Sequence, residues 1–243
     1  MKALPWPAQV LFHGEMDSAS HAPRHTSEQD VVTKIPPASD VAGVFALSEV
    51  ERRIWSRAKD YLDVRNNDVH SLYAYGIARQ LLTLVPEADR DVVLPAILLH
   101  DTGWSQVPRE LVLSAIAPGG GRPDLVRTHE IEGARIAAEI LEGVDWDPGL
   151  IRQITAIIDG HDSRREALSA SDAVVKDADK IWRLTPHGIG TVMGWFGLSH
   201  EQAHRLCGYR VHQHLFTDAG RVMAAGFAAV ASIDDEPERL ALS

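Results

Sequence analysis

The sequence predicts an all-α fold on three observations. Apolar residues recur at spacings of three and four through most of residues 48–233. Capping and stopping residues stand at the ends of those runs. No convincing stretch alternates apolar and polar residues as a half-buried strand would. The 243 residues, 45% hydrophobic and 24% charged, are ordinary for one globular domain with a sizeable core.

Residues 1–45 mix Pro, His, Ser and Asp without periodicity and read as an irregular arm. Its histidines, His13, His21 and His25, read as solvated, because an ordered metal site needs rigid support. A single helical domain is expected over residues 46–233. It starts at Ser48-Glu-Val-Glu51, which has the spacing of a capping box and opens a helix to about residue 62. Asn66-Asn67-Asp68 offers caps for a second helix that carries His70, Leu72, Tyr73, Ile77 and Leu81 and is ended by Pro86. Asp89 caps a third, which runs through Leu94-Pro-Ala-Ile-Leu-Leu-His100-Asp101-Thr-Gly-Trp104.

Pro108 begins a short helix, and Pro118-Gly-Gly-Gly-Arg-Pro123 reads as a flexible loop. Asp124 reopens helix with Val126, His129, Gly133, Ile136 and Ile140 on one stripe until Gly143. Asp147-Pro148 starts the next helix, and Gly160 ends it just before His161. From about Ser171 a further buried helix carries Asp179 and halts around Pro186. Ser199-His-Glu-Gln202 is a second capping box, and two more helices reach about residue 233. Residues 234–243 read as a frayed acidic tail.

A net charge of −10 disfavours nonspecific binding to nucleic acid but not a small anionic substrate, since a metal pair supplies positive charge locally. The single cysteine, Cys207, excludes an intrachain disulfide framework, fits a reducing cytoplasmic setting and reads as a small buried side chain. Met1-Lys-Ala-Leu-Pro-Trp-Pro is broken by two prolines before an export-signal core can form. The longest apolar stretches, 92–99 and 222–233, are much shorter than the ~20 residues that cross a bilayer, so no membrane partner is expected. A homo-oligomer stays open.

An apolar helix has no structural reason to finish in His100-Asp101, because imidazole and carboxylate are costly to bury without partners. A divalent ion is such a partner. His70, His100, Asp101, His129, His161 and Asp179 fall on five expected helices or helix ends, and bundles build metal sites from side chains on facing helices. Six nitrogen and oxygen donors exceed what one catalytic ion takes and suit two ions (Fe, Mn or Zn), with Asp101 bridging. Asp177 lies about 200° around the helix from Asp179 and is expected to face away. Asp162 reads either as a residue orienting His161 or as an exposed loop residue, and His200 and His204 as a solvated helix face.

In this order the residues resemble the HD-domain superfamily, and the resemblance covers roughly residues 66–184. His100-Asp-Thr-Gly-Trp-Ser-Gln-Val-Pro108 is similar to that superfamily's HDxGxxxxP run, His129-Glu-Ile-Glu-Gly133 to its HPxxG run, and Ala178-Asp179-Lys-Ile to its ADxL helix. The resemblance implies an HD-type helical bundle, here with an extra N-terminal arm and C-terminal helices. It also implies metal-dependent hydrolysis of a small phosphorylated substrate: a phosphomonoester, nucleotide or pyrophosphate. Asp101 then orients the attacking water and takes its proton, and Lys180 and Arg183, with Arg122 as a weaker candidate, clamp the anion.

The runs at Ile158-Asp-Gly-His161 and Asp177-Ala-Asp-Lys180 are similar to a bacterial subgroup that hydrolyses nucleotides and pyrophosphates, although Arg183 stands where that subgroup usually carries an acidic residue. Trp104, in place of a usual Lys, and the lack of a Gly-Tyr-Pro run after His161 argue against a cyclic-dinucleotide phosphodiesterase. The same ligand order is similar to HD-type mixed-valent di-iron oxygenases acting on small polar metabolites, and Trp104 together with sparse cations around the HD turn favours that alternative. A non-catalytic ligand-binding HD domain is a third reading. Substrate specificity is expected from loops at 105–123 and 185–198.

Overall fold

The computed structural model describes residues 31–119 and 121–242, so His13, His21 and His25 lie outside the described residues. A contact boundary falls between residues 42 and 43. In the first unit, the described residues 31–42 contain a short turn and the 3-10 helix Ala38–Asp40. The second unit is built from helices, and no strand occurs among the described residues.

Its hub is α3 (Arg90–Leu99), in which every residue from Val92 to Leu99 is buried. A helix apolar on all sides must be covered on all sides. Around it stand α1 (Glu49–Ala58), α2 (Asn67–Leu81), α5 (Pro123–Glu142), α6 (Pro148–Ile158) and α7 (Ala170–Ile181). Local chemistry fixes where these helices begin. Ser48 and Glu51 form the expected capping box on α1, Asp89 accepts from the amide of Asp91 at the start of α3, and Asp147 caps α6 with Pro148 in its first turn. Helix α7 starts at Ala170, with Ser169 as its cap.

Between these, α4 (Arg109–Ile116) closes a second apolar cluster with Val64, Trp104 and Val107. The C-terminal half is α8 (Pro186–Phe196), α9 (His200–His212), α10 (Asp218–Ser232) and the one-turn α11 (Pro237–Leu240). Helix α8 corrects the expectation of a loop at 185–198: Thr185 caps it by accepting from the amide of Gly188, and Pro186 fits its first turn. The tail is also more ordered than expected. Residues Ile233–Asp235 form a 3-10 turn, and His200 Nδ1 lies 2.8 Å from Asp235 Oδ1. No described helix is long and apolar enough to cross a membrane.

Candidate metal centre

The chain delivers chemistry to the hub where helices begin or end. His70 lies in the first turn of α2, and Asp179 in the last turn of α7. His100 closes α3, and Asp101, with φ −97° and ψ 5°, leads into the 3-10 turn Thr102–Gln106. That turn packs against α5 so closely that a Cβ on Gly103 would lie 1.9 Å from the carbonyl oxygen of His129. Gly103 therefore lets the His-Asp turn touch the helix that carries His129. Gly133 on α5 allows the same approach from the other side, since a Cβ there would sit 3.1 Å from the carbonyl oxygen of His100. His161 follows Gly160, whose φ of +117° is rarely adopted by residues with side chains.

All six ligand candidates converge. Nε2 of His70 is 3.0 Å from Nε2 of His100 and 3.3 Å from Asp179 Oδ1. His100 Nε2 is 3.6 Å from the same Asp179 oxygen. On the other side, Nε2 of His129 and Nε2 of His161 are 3.4 Å apart. Asp101 lies between the two groups. Its Oδ2 is 3.4 Å from His70 and 3.6 Å from His100, and its Oδ1 is 3.7 Å from His161 and 3.9 Å from His129. Donors held about 2.1 Å from one ion stand about 3 to 3.5 Å apart, so these separations fit divalent ions on either side of Asp101 with small adjustments.

Asp162 completes the second group, its Oδ2 3.6 Å from His129 Nε2 and 3.9 Å from His161 Nε2. Of the two roles open to it from the sequence, the exposed loop residue is the one met, and from that turn it also reaches the imidazole nitrogens themselves. Asp177 faces away as expected and accepts from the amides of Phe216 and Thr217 and from the Thr217 hydroxyl.

Protonation suits a donor role at His70 and His129 and opposes it at His161. His100 and His161 each turn Nδ1 to a carbonyl oxygen, of Ile97 at 2.8 Å and Ile158 at 2.9 Å, which leaves Nε2 for an ion. Burial drives His70 down to about 4 against the opposing pull of Asp179 and Asp101. Burial, reinforced by His161, does the same to His129, also to about 4. Both rings are thus neutral donors at neutral pH. Burial works against the charged form of His161 too, but contact with Asp101 and the charges of Asp162 and Asp101 prevail and raise it to about 9. Burial opposes ionisation of Asp101, yet His100, His161, His70 and Arg65 hold it well below the usual carboxylate range. A carboxylate held so low is a good ligand and a weak base.

Supporting residues that the sequence did not single out hold the second group in place. Glu130, fully buried, accepts from the amides of Asp162 and Ser163 and from the Ser163 hydroxyl, and pairs with Arg127. Lys176, also buried, donates to the carbonyls of Gly160, His161 and Arg164 at 2.9, 3.0 and 2.9 Å. Trp104 stacks on His129 with centroids 4.0 Å apart, and its Nε1 donates to Asp101 Oδ1 at 3.1 Å. Trp104 is thus both an aromatic wall against His129 and a hydrogen-bond donor to the central carboxylate.

A cavity of about 380 Å³ borders the second group, with Asp162, Lys180 and Arg183 among its lining residues. Arg183 also donates to the carbonyl of Asp179 at 3.0 Å, and Lys180 Nζ is 3.7 Å from Asp179 Oδ2. Arg210, which carries no signal in the sequence, adds a third cation, and Trp195, Phe196 and Leu206 give the cavity an apolar side. Arg122 instead pairs with Asp124 at the surface. Another cleft of about 480 Å³, bordered by Trp146 and Arg152, shares no residue with the cluster.

A comparison with protein-family models matches residues 67–184 to the family described as HD domain. No curated protein and no solved structure matches the chain.

Proposed function

We propose, from the match of residues 67–184 to the HD domain family, that the chain is a metal-dependent hydrolase of a small phosphorylated substrate whose His and Asp cluster would hold two ions, with Asp101 between them. The observation that carries this reading is the cavity at Asp162, where Lys180, Arg183 and Arg210 converge beside the His/Asp donors. The sparse cations around the HD turn favoured oxygenation in the sequence; helices α7 and α9 supply the missing charge from elsewhere.

In this proposal His70, His100 and Asp179 would hold one ion, and His129, His161 and Asp162 the other. Divalent ions so held lower the pKa of water and neutralise phosphate charge. Lys180, Arg183 and Arg210 receive the phosphate and offset its negative charge, with Arg183 suited to two oxygens at once. Trp195, Phe196 and Leu206 take up the organic part of the substrate and exclude water. Asp101 serves as ligand only, because its low pKa makes it a poor proton acceptor. Asp162, 31% exposed, is the open carboxylate of the cluster and orients the attacking water.

The second reading, a mixed-valent di-iron oxygenase, keeps its support in the donor set, because imidazole and carboxylate hold iron as readily as manganese or zinc. One experiment separates the two. Protein purified without oxygen and loaded with manganese is incubated anaerobically with a panel of small organic phosphates. Release of inorganic phosphate supports hydrolysis. Oxygen consumption by the iron-loaded protein, with a mixed-valent electron-spin signal and no phosphate release, replaces it with oxygenation.

A further inference from the structure

Arg65 lies two residues before the matched segment, in the loop that leads into α2. Its backbone has φ +46° and is followed by Asn66 at φ +65°, two successive residues in the left-handed region that side chains disfavour. Such backbone persists only where its surroundings hold it. Here the surroundings are aromatic: the guanidinium carbon sits 4.9 Å from the ring centroid of Trp104 and 5.1 Å from that of Trp195. The side chain is 10% exposed, with Nη2 3.7 Å from Asp101 Oδ2. Nε and Nη1 are buried and have no hydrogen-bond partner among the described residues.

This is an unusual state for a guanidinium. Stacking between two indoles fixes its plane but satisfies none of its N–H groups. Its carboxylate neighbour, Asp101, is shared with four imidazoles. With ions at those donors the charge of Asp101 is committed to them, and a buried cation then needs an anion of its own. Trp195 borders the cavity, and Arg65 lies behind it, against Trp195 on one side and beside the central carboxylate on the other.

We propose that Arg65 is an anion-binding residue of this centre, the edge formed by its unpartnered Nη1 and its Nη2 donating to oxygens of the substrate's phosphoryl group while Trp104 and Trp195 restrain the guanidinium. This rests on the reading of the centre as a phosphohydrolase. An Arg fork matches a tetrahedral oxyanion in a way that a lysine ammonium does not.

The test uses the full chain loaded with manganese and inorganic phosphate as the probe. Phosphate affinity is measured by calorimetry, and metal content and melting temperature are recorded on the same samples, for the wild type, Arg65→Gln and Arg65→Lys. The expected result is a loss of phosphate affinity of about tenfold or more in Arg65→Gln and a smaller loss in Arg65→Lys, with the metal content of Arg65→Lys unchanged. Unchanged phosphate affinity in a folded Arg65→Gln or Arg65→Lys protein overturns the proposal. So does loss of metal from both variants, because Arg65 would then be serving Asp101 instead of the substrate. The hydrolase reading fails separately: phosphate binding that depends on Arg65, without hydrolysis of any phosphoester, leaves Arg65 as an anion site and removes the activity.

Discussion

The two halves of the centre differ in how they meet solvent. His70, His100 and Asp179 are all buried, and Asp179 has Lys180 and Arg183 against it. His129 and His161 are as deeply buried, but their carboxylate, Asp162, lies on a turn and is 31% exposed toward the cavity. The first half is a closed pocket on the hub helices. The second is held from outside by Glu130 and Lys176 and opens on the side where cations gather. On the proposed function the difference assigns the halves different tasks: the closed half would keep an ion, and the open half would present one to the substrate.

The widest break in that comparison comes from the shared residue. Asp101→Asn removes an anionic oxygen from both halves and leaves Arg65 beside a neutral amide, so both ions and all activity are expected to be lost. Elemental analysis and turnover check this together. A smaller effect, confined to one half, is expected of Asp162→Asn. It should weaken one ion by more than the about 10- to 100-fold typical of residues that only orient a metal's ligands, and leave the other in place. Sequential manganese titration, read by calorimetry, distinguishes one affected site from two.

The pH dependence should also belong to the open half. In the ion-free protein the raised pKa of His161, about 9, means that its ring is protonated at neutral pH. An ion must displace that proton, so affinity there is expected to rise about tenfold per pH unit up to pH ~9 and then level off, with protons released on binding. His70 and His129, depressed to about 4, are already neutral and add no slope above that pH. A proton count during manganese titration at pH 7, with an indicator dye, checks the sign. The smallest effect is expected of His204→Ala. His204 lies on α9, 3.7 Å from Asp235, and its removal should leave metal content and turnover unchanged.

The ligand candidates were legible in the sequence because each interrupts or ends an apolar run, where a polar residue needs a reason. The same periodicity placed α1 to α7 to within a few residues. What was not legible came from residues whose role is set by distant partners. Arg65 stands in a short loop with no period, and its burial depends on Trp195, 130 positions away. Glu130 looks like the polar side of an amphipathic helix until the 161–163 turn folds onto it. Helix α8 was read as a loop because Gly188, Gly190 and Gly194 weaken its intrinsic preference, and only packing against α9 and the Trp182–Leu184 turn restores it. Tertiary contact, and not local pattern, fixed each of these.

The central claim concerns Asp101, and diffraction from manganese-loaded crystals at the metal's absorption edge addresses it most directly. Two anomalous peaks, one on each side of the Asp101 carboxylate and about 3.5 to 4 Å apart, are the expected result. A crystal of folded, metal-loaded protein with no peak against Asp101, or with a single peak that Asp101 does not touch, would contradict it.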